Sequence, residues 1–186
     1  MQMKAANYKY QGFTLVELLV VLAVAAIIAT VAVPSYKTLI QNNRNTTQIN
    51  TFLGALNFAR SEAIKRAVPI VICKSSNKTN CQTSGVDWED GWIVFANSDN
   101  DSPPIVDPGE QVIRLYSQID GDNTLRGSVN VADFASFTSR GVANTSGTFI
   151  LCDDRGANYA KAATIAATGR VRIATKQIDG SALSCP

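Results

Sequence analysis

The chain has 186 residues and no histidine. That absence removes serine–histidine and cysteine–histidine nucleophile pairs. Its four cysteines, Cys73, Cys81, Cys152 and Cys185, contain no Cys-x-x-Cys pair, and no imidazole is present to complete a mixed site, so zinc is not expected. No glycine-rich phosphate loop follows a strand-like run, and no internal repeat is found. Paired carboxylates occur only in acidic loops, where the pattern predicts no burial. An enzyme is therefore not expected: no catalytic residue, no cofactor and no metal. Asp99-Asn100-Asp101 has the composition of a calcium loop. It lacks the glycine and the spaced glutamate that such a loop requires, so it reads as a turn. Asp120-Gly121-Asp122-Asn123 reads the same way.

Charge is scarce where apolar residues are dense. Residues 13–33 form a run of 21 in which Thr14, Glu17 and Thr30 are the only polar side chains. As a helix this run is roughly 30 Å long, the thickness of a hydrocarbon core. Lys4 and Lys9 precede it, which places the start of the chain on the cytoplasmic side and the body across the membrane. A lone carboxylate, Glu17, inside such a helix is costly and marks function. An ordinary secretory signal would carry its cleavage site after the apolar region and gives no reason for Glu17. Export to an oxidising space suits the four cysteines, which allow three pairings. Cys73–Cys81 is favoured as a short local loop, and Cys152–Cys185 as a tie near the carboxyl end.

Past Pro34 a helical pattern resumes, so a kink is expected there rather than a stop. Ile49, Phe52, Leu53, Leu56, Ala59, Ala63 and Ile64 recur at three- and four-residue spacing and define an apolar stripe. Pro69 marks the end, predicting one helix over about 13–67. Residues 41–48 are rich in asparagine and threonine, poor helix formers with little apolar burial to offset the cost, and form its expected soft section. After Pro69 the texture changes to short β-like runs at 70–74, 92–96, 112–117, 124–130, 133–138, 148–152, 163–166 and 170–175, separated by turn residues. Their spacing predicts a small two-sheet sandwich packed on the amphipathic half of the helix. Trp88 and Trp92 read as packing residues. Charge is split along the body: residues 87–133 hold ten acidic and two basic side chains, residues 140–186 six basic and three acidic.

The order Gly12-Phe13-Thr14-Leu15-Val16-Glu17 ahead of a long apolar run resembles the class III signal of type IV prepilins and pseudopilins. The resemblance implies cleavage by a prepilin peptidase between Gly12 and Phe13 and methylation of the new Phe13 amine. Glu17 then becomes the fifth residue of the mature chain. In a filament that amine offers Glu17 a partner, which would fix the register of packed helices. Later motifs narrow the branch: Ala59-Arg60-Ser61-Glu62-Ala63-Ile64, Gly91-Trp92-Ile93-Val94-Phe95, Phe149-Ile150-Leu151-Cys152 and Thr168-Gly169-Arg170-Val171-Arg172. Together they resemble the GspH/FimT family of minor type IV pilins and pseudopilins, over nearly the whole chain.

That likeness implies an α+β fold: a long N-terminal helix, transmembrane then amphipathic, packed on a C-terminal antiparallel two-sheet β-sandwich. The implied organisation is a leader over 1–12, a hydrophobic transmembrane and filament-core helix over 13–34, an amphipathic helix over 35–67 and a β-rich domain over 68–186. The implied location is the bacterial inner membrane, with a periplasmic domain, and later the extracellular pilus. Other pilin and minor pilin subunits are the implied protein partners. Members carrying Gly-Arg-x-Arg, here Gly169-Arg170-Val171-Arg172, resemble FimT, which is associated with DNA binding in natural transformation. Secretion-system members lack that role.

The residues themselves allow such binding. On a strand, Arg170 and Arg172 project to one face about 7 Å apart, close to the spacing of phosphates along one nucleic-acid strand. The guanidinium fork suits phosphate, and Gly169 is expected to leave bare backbone beside it. Lys176 extends the run, and Lys161, Arg155 and Arg140 join if loops bring them near. No aromatic residue lies beyond Tyr159, so DNA would be held by its phosphates without sequence preference. The same charges also fit a solvated edge strand protected against aggregation.

Overall fold

The structure is a computed structural model that describes residues 12–185. The expected leader lies, apart from Gly12, outside the described residues, as do Lys4 and Lys9. Helix α1 spans Leu15–Arg66, 52 residues with Pro34 inside it. The chain divides into two compact units, Met1–Gln41 and Asn42–Pro186.

In the first unit α1 starts at a side-chain cap. The Glu17 amide donates to Thr14 Oγ1 at 3.2 Å, and the Leu18 amide to the Thr14 carbonyl at 3.2 Å. Thr14 thus satisfies donors that a first helical turn leaves open. Glu17 falls in that turn. The apolar side chains from Leu15 to Val33 are exposed. The segment is long and apolar enough to cross a membrane.

In the second unit the remaining turns of α1 bury Ile49, Phe52, Leu56, Ala59 and Ala63 of the stripe that the periodicity predicts, together with Ala55, which it does not include; Leu53 is half-buried. Ile64, expected on that stripe, is instead 53% exposed. The section over 42–48, expected to be soft, is helical and held by polar contacts rather than apolar burial. Asn45 is fully buried. Its Nδ2 donates to Asp153 Oδ2 at 2.7 Å and its Oδ1 accepts from Asn123 Nδ2 at 2.7 Å. Asn123 Nδ2 also reaches Gln48 Oε1 at 2.6 Å, and Arg44 donates to Asn123 Oδ1 at 3.1 Å.

Eight strands follow. β1 (Ile70–Lys74), β2 (Gly91–Ala96), β3 (Val112–Ser117) and β5 (Phe134–Phe137) form one antiparallel sheet in the order β3-β2-β1-β5. β4 (Thr124–Gly127), β6 (Gly147–Cys152), β7 (Lys161–Ile165) and β8 (Val171–Ala174) form the second, in the order β4-β6-β7-β8. The core lies between the sheets and α1. Phe52, Trp88, Trp92 and Phe149 meet there edge to face, with centroids 4.7–5.4 Å apart, an arrangement aromatic quadrupoles favour.

Both sheets are also covered on their outer faces. Val71, Cys73, Ile93 and Phe95 are buried under Cys81, Val106 and neighbouring residues. Ile150, Cys152, Ala162 and Ala174 are buried under Leu183 and Cys185. The disulfides Cys73–Cys81 and Cys152–Cys185 hold these covers in place, in the favoured pairing. The segment after β8 is further fixed by the Ile178 amide, which donates to Thr148 Oγ1 at 3.0 Å.

Candidate nucleic-acid interface

β8 is an edge strand, and the tight turn leading into it sets the position of its arginines. The Gly169 amide donates to the Ala166 carbonyl at 2.8 Å, and the Ala166 amide to the Arg170 carbonyl at 3.0 Å. Gly169 adopts φ +79°, a conformation side chains disfavour. A Cβ there would lie 1.9 Å from the Gly141 carbonyl oxygen and 3.1 Å from Arg60 Nε. Gly169 is buried, so its backbone packs on a second turn instead of lying bare to a ligand.

That second turn follows β5. The Gly141 amide donates to the Thr138 carbonyl, and the Thr138 amide to the Val142 carbonyl, each at 2.8 Å. Gly141 is also at positive φ, +74°. Its carbonyl accepts from Arg60 Nε of α1 at 2.9 Å. Three distant segments are thus fastened together, and each carries an arginine: Arg60, Arg140 and Arg170.

Arg172 lies opposite Thr164 of β7. The period of two puts it on the face of Ala174, the outer face of the second sheet, whereas Val171 packs toward the central core. The strand begins at Val171, one residue after the expected start, so Arg170 falls just before it. Arg140, Arg170, Arg172 and Lys176 are all exposed. None of the four forms an ion pair or a side-chain hydrogen bond among the described residues.

Two expected members are not gathered with them. Lys161 opens β7 on the face of Ala163 and Ile165, opposite to that of Arg172. Arg155 is committed elsewhere. Its Nε and a terminal nitrogen donate to Asp153 Oδ2 at 3.0 and 2.5 Å, and its guanidinium stacks over Tyr159, 4.1 Å from the ring centre. The hydrogen bond to Asp153 holds the Arg155 pKa above its ordinary value. Burial pushes the Asp153 carboxyl up, but bonds from Arg155 and Asn45 outweigh it and hold the group below the usual carboxylate range.

Sequence reasoning missed Arg60, because its contact partner is 81 residues away and no spacing rule connects them. The acidic loop does bring Asp99, Asp101 and Asp107 within 4.8 Å of one another. Two of these carboxylates bind the loop's own backbone: the Ile105 amide donates to Asp101 Oδ2 at 2.9 Å and the Asp101 amide to Asp99 Oδ1 at 3.2 Å. At the other end of the chain Gly12 and Phe13 are exposed.

Comparison with known proteins bears on the fold and the family. Residues 48–169 match the model of the GspH family, described as type II transport protein GspH. Residues 7–33 match the prokaryotic N-terminal methylation motif. A crystal structure of the type IV minor pilin FimU of Pseudomonas aeruginosa superposes with a TM-score of 0.56 at 21% identity, covering 73% of this chain and 92% of that one. A second crystal form of FimU gives a TM-score of 0.51 at 21% identity, over 69% and 91%. At that identity these likenesses speak for the fold. No curated protein matches significantly in sequence. With the family model covering well over half of its length, the chain belongs to the GspH family of minor type IV pilins and pseudopilins.

Proposed function

We propose that this chain is a FimT-like minor pilin that joins a type IV pilus and binds DNA for uptake in natural transformation. The supporting observation is that Arg170 and Arg172 stand exposed at an edge strand with no partner among the described residues. Unpaired guanidinium groups keep their charge and both donor edges for phosphate oxygens. Lys176, four residues beyond Arg172, continues the positive edge. Before assembly the protein sits in the inner membrane with its body in the periplasm. The peptidase acts between Gly12 and Phe13, and Glu17 pairs with the Phe13 amine among pilin subunits.

The experiment is a fluorescence-anisotropy titration of labelled duplex DNA with the full chain in neutral detergent, between 50 and 200 mM salt. Three phosphate contacts give a log–log slope of about −2.7, so affinity falls about 40-fold or more over that range. The Arg170→Gln, Arg172→Gln double variant weakens binding to all duplexes alike and flattens the slope by about 1.8. A salt-independent response removes the DNA reading. What then stands is a structural minor pilin or type II secretion pseudopilin that initiates filament assembly, a reading favoured by the description of the matching family as a type II transport protein.

A further inference from the structure

We infer that the DNA surface does not end at the carboxyl-terminal edge but turns the corner of the domain, with Arg140 and Arg60 as further phosphate contacts. This rests on the DNA reading above and extends it to residues outside the Gly-Arg-x-Arg motif.

The Gly141 carbonyl and Gly169 meet so closely that a single Cβ at 169 would lie 1.9 Å from that oxygen. Arg140 and Arg170 are the chain neighbours of those two glycines. Their side chains therefore leave the surface from two turns already in van der Waals contact. Arg60 joins the same point from α1. Its Nε is spent on the Gly141 carbonyl at 2.9 Å, while its two terminal nitrogens carry no bond to a described residue. A guanidinium fixed through Nε presents a pre-oriented pair of donors, so less rotamer freedom is lost when an anion binds.

Charge supports the same conclusion. Residues 134–152 and 155–178 contain no aspartate or glutamate. Both turns thus lack local carboxylates to neutralise Arg140 and Arg170. The arginines that serve the fold are visibly different. Arg126 is paired with Asp87 and Glu89, Arg66 with Glu62, and Arg155 with Asp153. Four unneutralised guanidinium groups, Arg60, Arg140, Arg170 and Arg172, gathered from three segments, form a continuous cationic ridge. Such a ridge tracks a nucleic-acid backbone and reads no bases.

The same anisotropy titration tests it on the full chain in neutral detergent. With Lys176, five contacts give a slope of about −4.5, a loss of about 500-fold between 50 and 200 mM salt. Arg140→Gln flattens that slope by about 0.9, with an unchanged melting temperature. Arg140→Lys keeps the charge and holds the wild-type slope. Arg60→Gln flattens it by a further 0.9, and Arg60→Lys restores it. The inference is overturned if Arg140→Gln keeps the wild-type slope while the Arg170→Gln, Arg172→Gln protein flattens; the edge reading then stands alone. It is equally overturned if Arg140→Lys falls as far as Arg140→Gln. A wild-type protein with no salt-dependent binding ends both readings at once.

Discussion

Replacing Gly169 by alanine separates the two roles a glycine beside an arginine pair can have. If it only leaves room for a phosphate, the fold tolerates a methyl group; if it packs on Gly141, the fold does not. The structure allows the cost to be worked out. At φ +79° an alanine costs about 1–2 kcal/mol over glycine, reduced by about 0.4–1 kcal/mol because the unfolded chain is stiffer. The added Cβ would sit 1.9 Å from the Gly141 oxygen, where 3.0 Å is the closest approach real structures show, so one turn must retreat by about 1 Å. Overpacking of this kind costs about 1–3 kcal/mol. The retreat also strains the 2.9 Å Arg60–Gly141 bond. The total is about 1–5 kcal/mol, and for a unit of this size each kcal/mol lowers the melting temperature by about 3–4 °C. Gly169→Ala should therefore melt about 3–20 °C below wild type, followed by near-ultraviolet circular dichroism of the buried Trp88 and Trp92. Arg170→Gln, an exposed change, should stay within about 0.5 kcal/mol of wild type. A Gly169→Ala protein melting within 2 °C of wild type would refute the packing argument.

Acid should act through Asp153. Its folded pKa is held below the ordinary value, so its contribution to stability is present above the unfolded carboxyl value, about 3.9, and is lost as pH falls through the folded one. The melting-temperature gap between wild type and Asp153→Asn should be constant from pH 7 to 5 and close at lower pH; a gap that widens there contradicts the assignment. In the membrane segment, Glu17→Ala should block incorporation into filaments, scored by immunogold labelling of sheared pili. The near-ultraviolet spectrum of the exported domain should stay unchanged, and normal incorporation would count against pairing with the Phe13 amine.

What the sequence made legible was local. The stripe of Phe52, Leu56, Ala59 and Ala63 is a matter of helical period, and β1 and β3 match the expected bounds because Pro69 and the flanking turn residues punctuate them. The short Cys73–Cys81 pairing follows from proximity along the chain. What a sequence does not display is where polar groups find partners across the fold. Residues 42–48 looked weak because helix propensity and apolar content are the only terms a sequence displays. In the fold their amide groups are matched to partners 75 to 108 residues away. The surroundings of an arginine are hidden from the sequence in the same way. Arg155 and Arg170 are chemically identical and equally close to turns in the sequence. Asp153 sits two residues before Arg155, and Asn45 fixes that carboxylate from the other side, so one guanidinium became part of the scaffold. Nothing acidic lies within reach of the other along its own segment, and the buried glycines at 141 and 169 let its turn pack closely on the one that carries Arg140. Whether an arginine is structural or available is therefore decided by where the carboxylates are, and in this chain the acidic residues concentrate between 87 and 133, where they bind backbone amides, Arg126 and Lys74. That segregation leaves the ridge its charge.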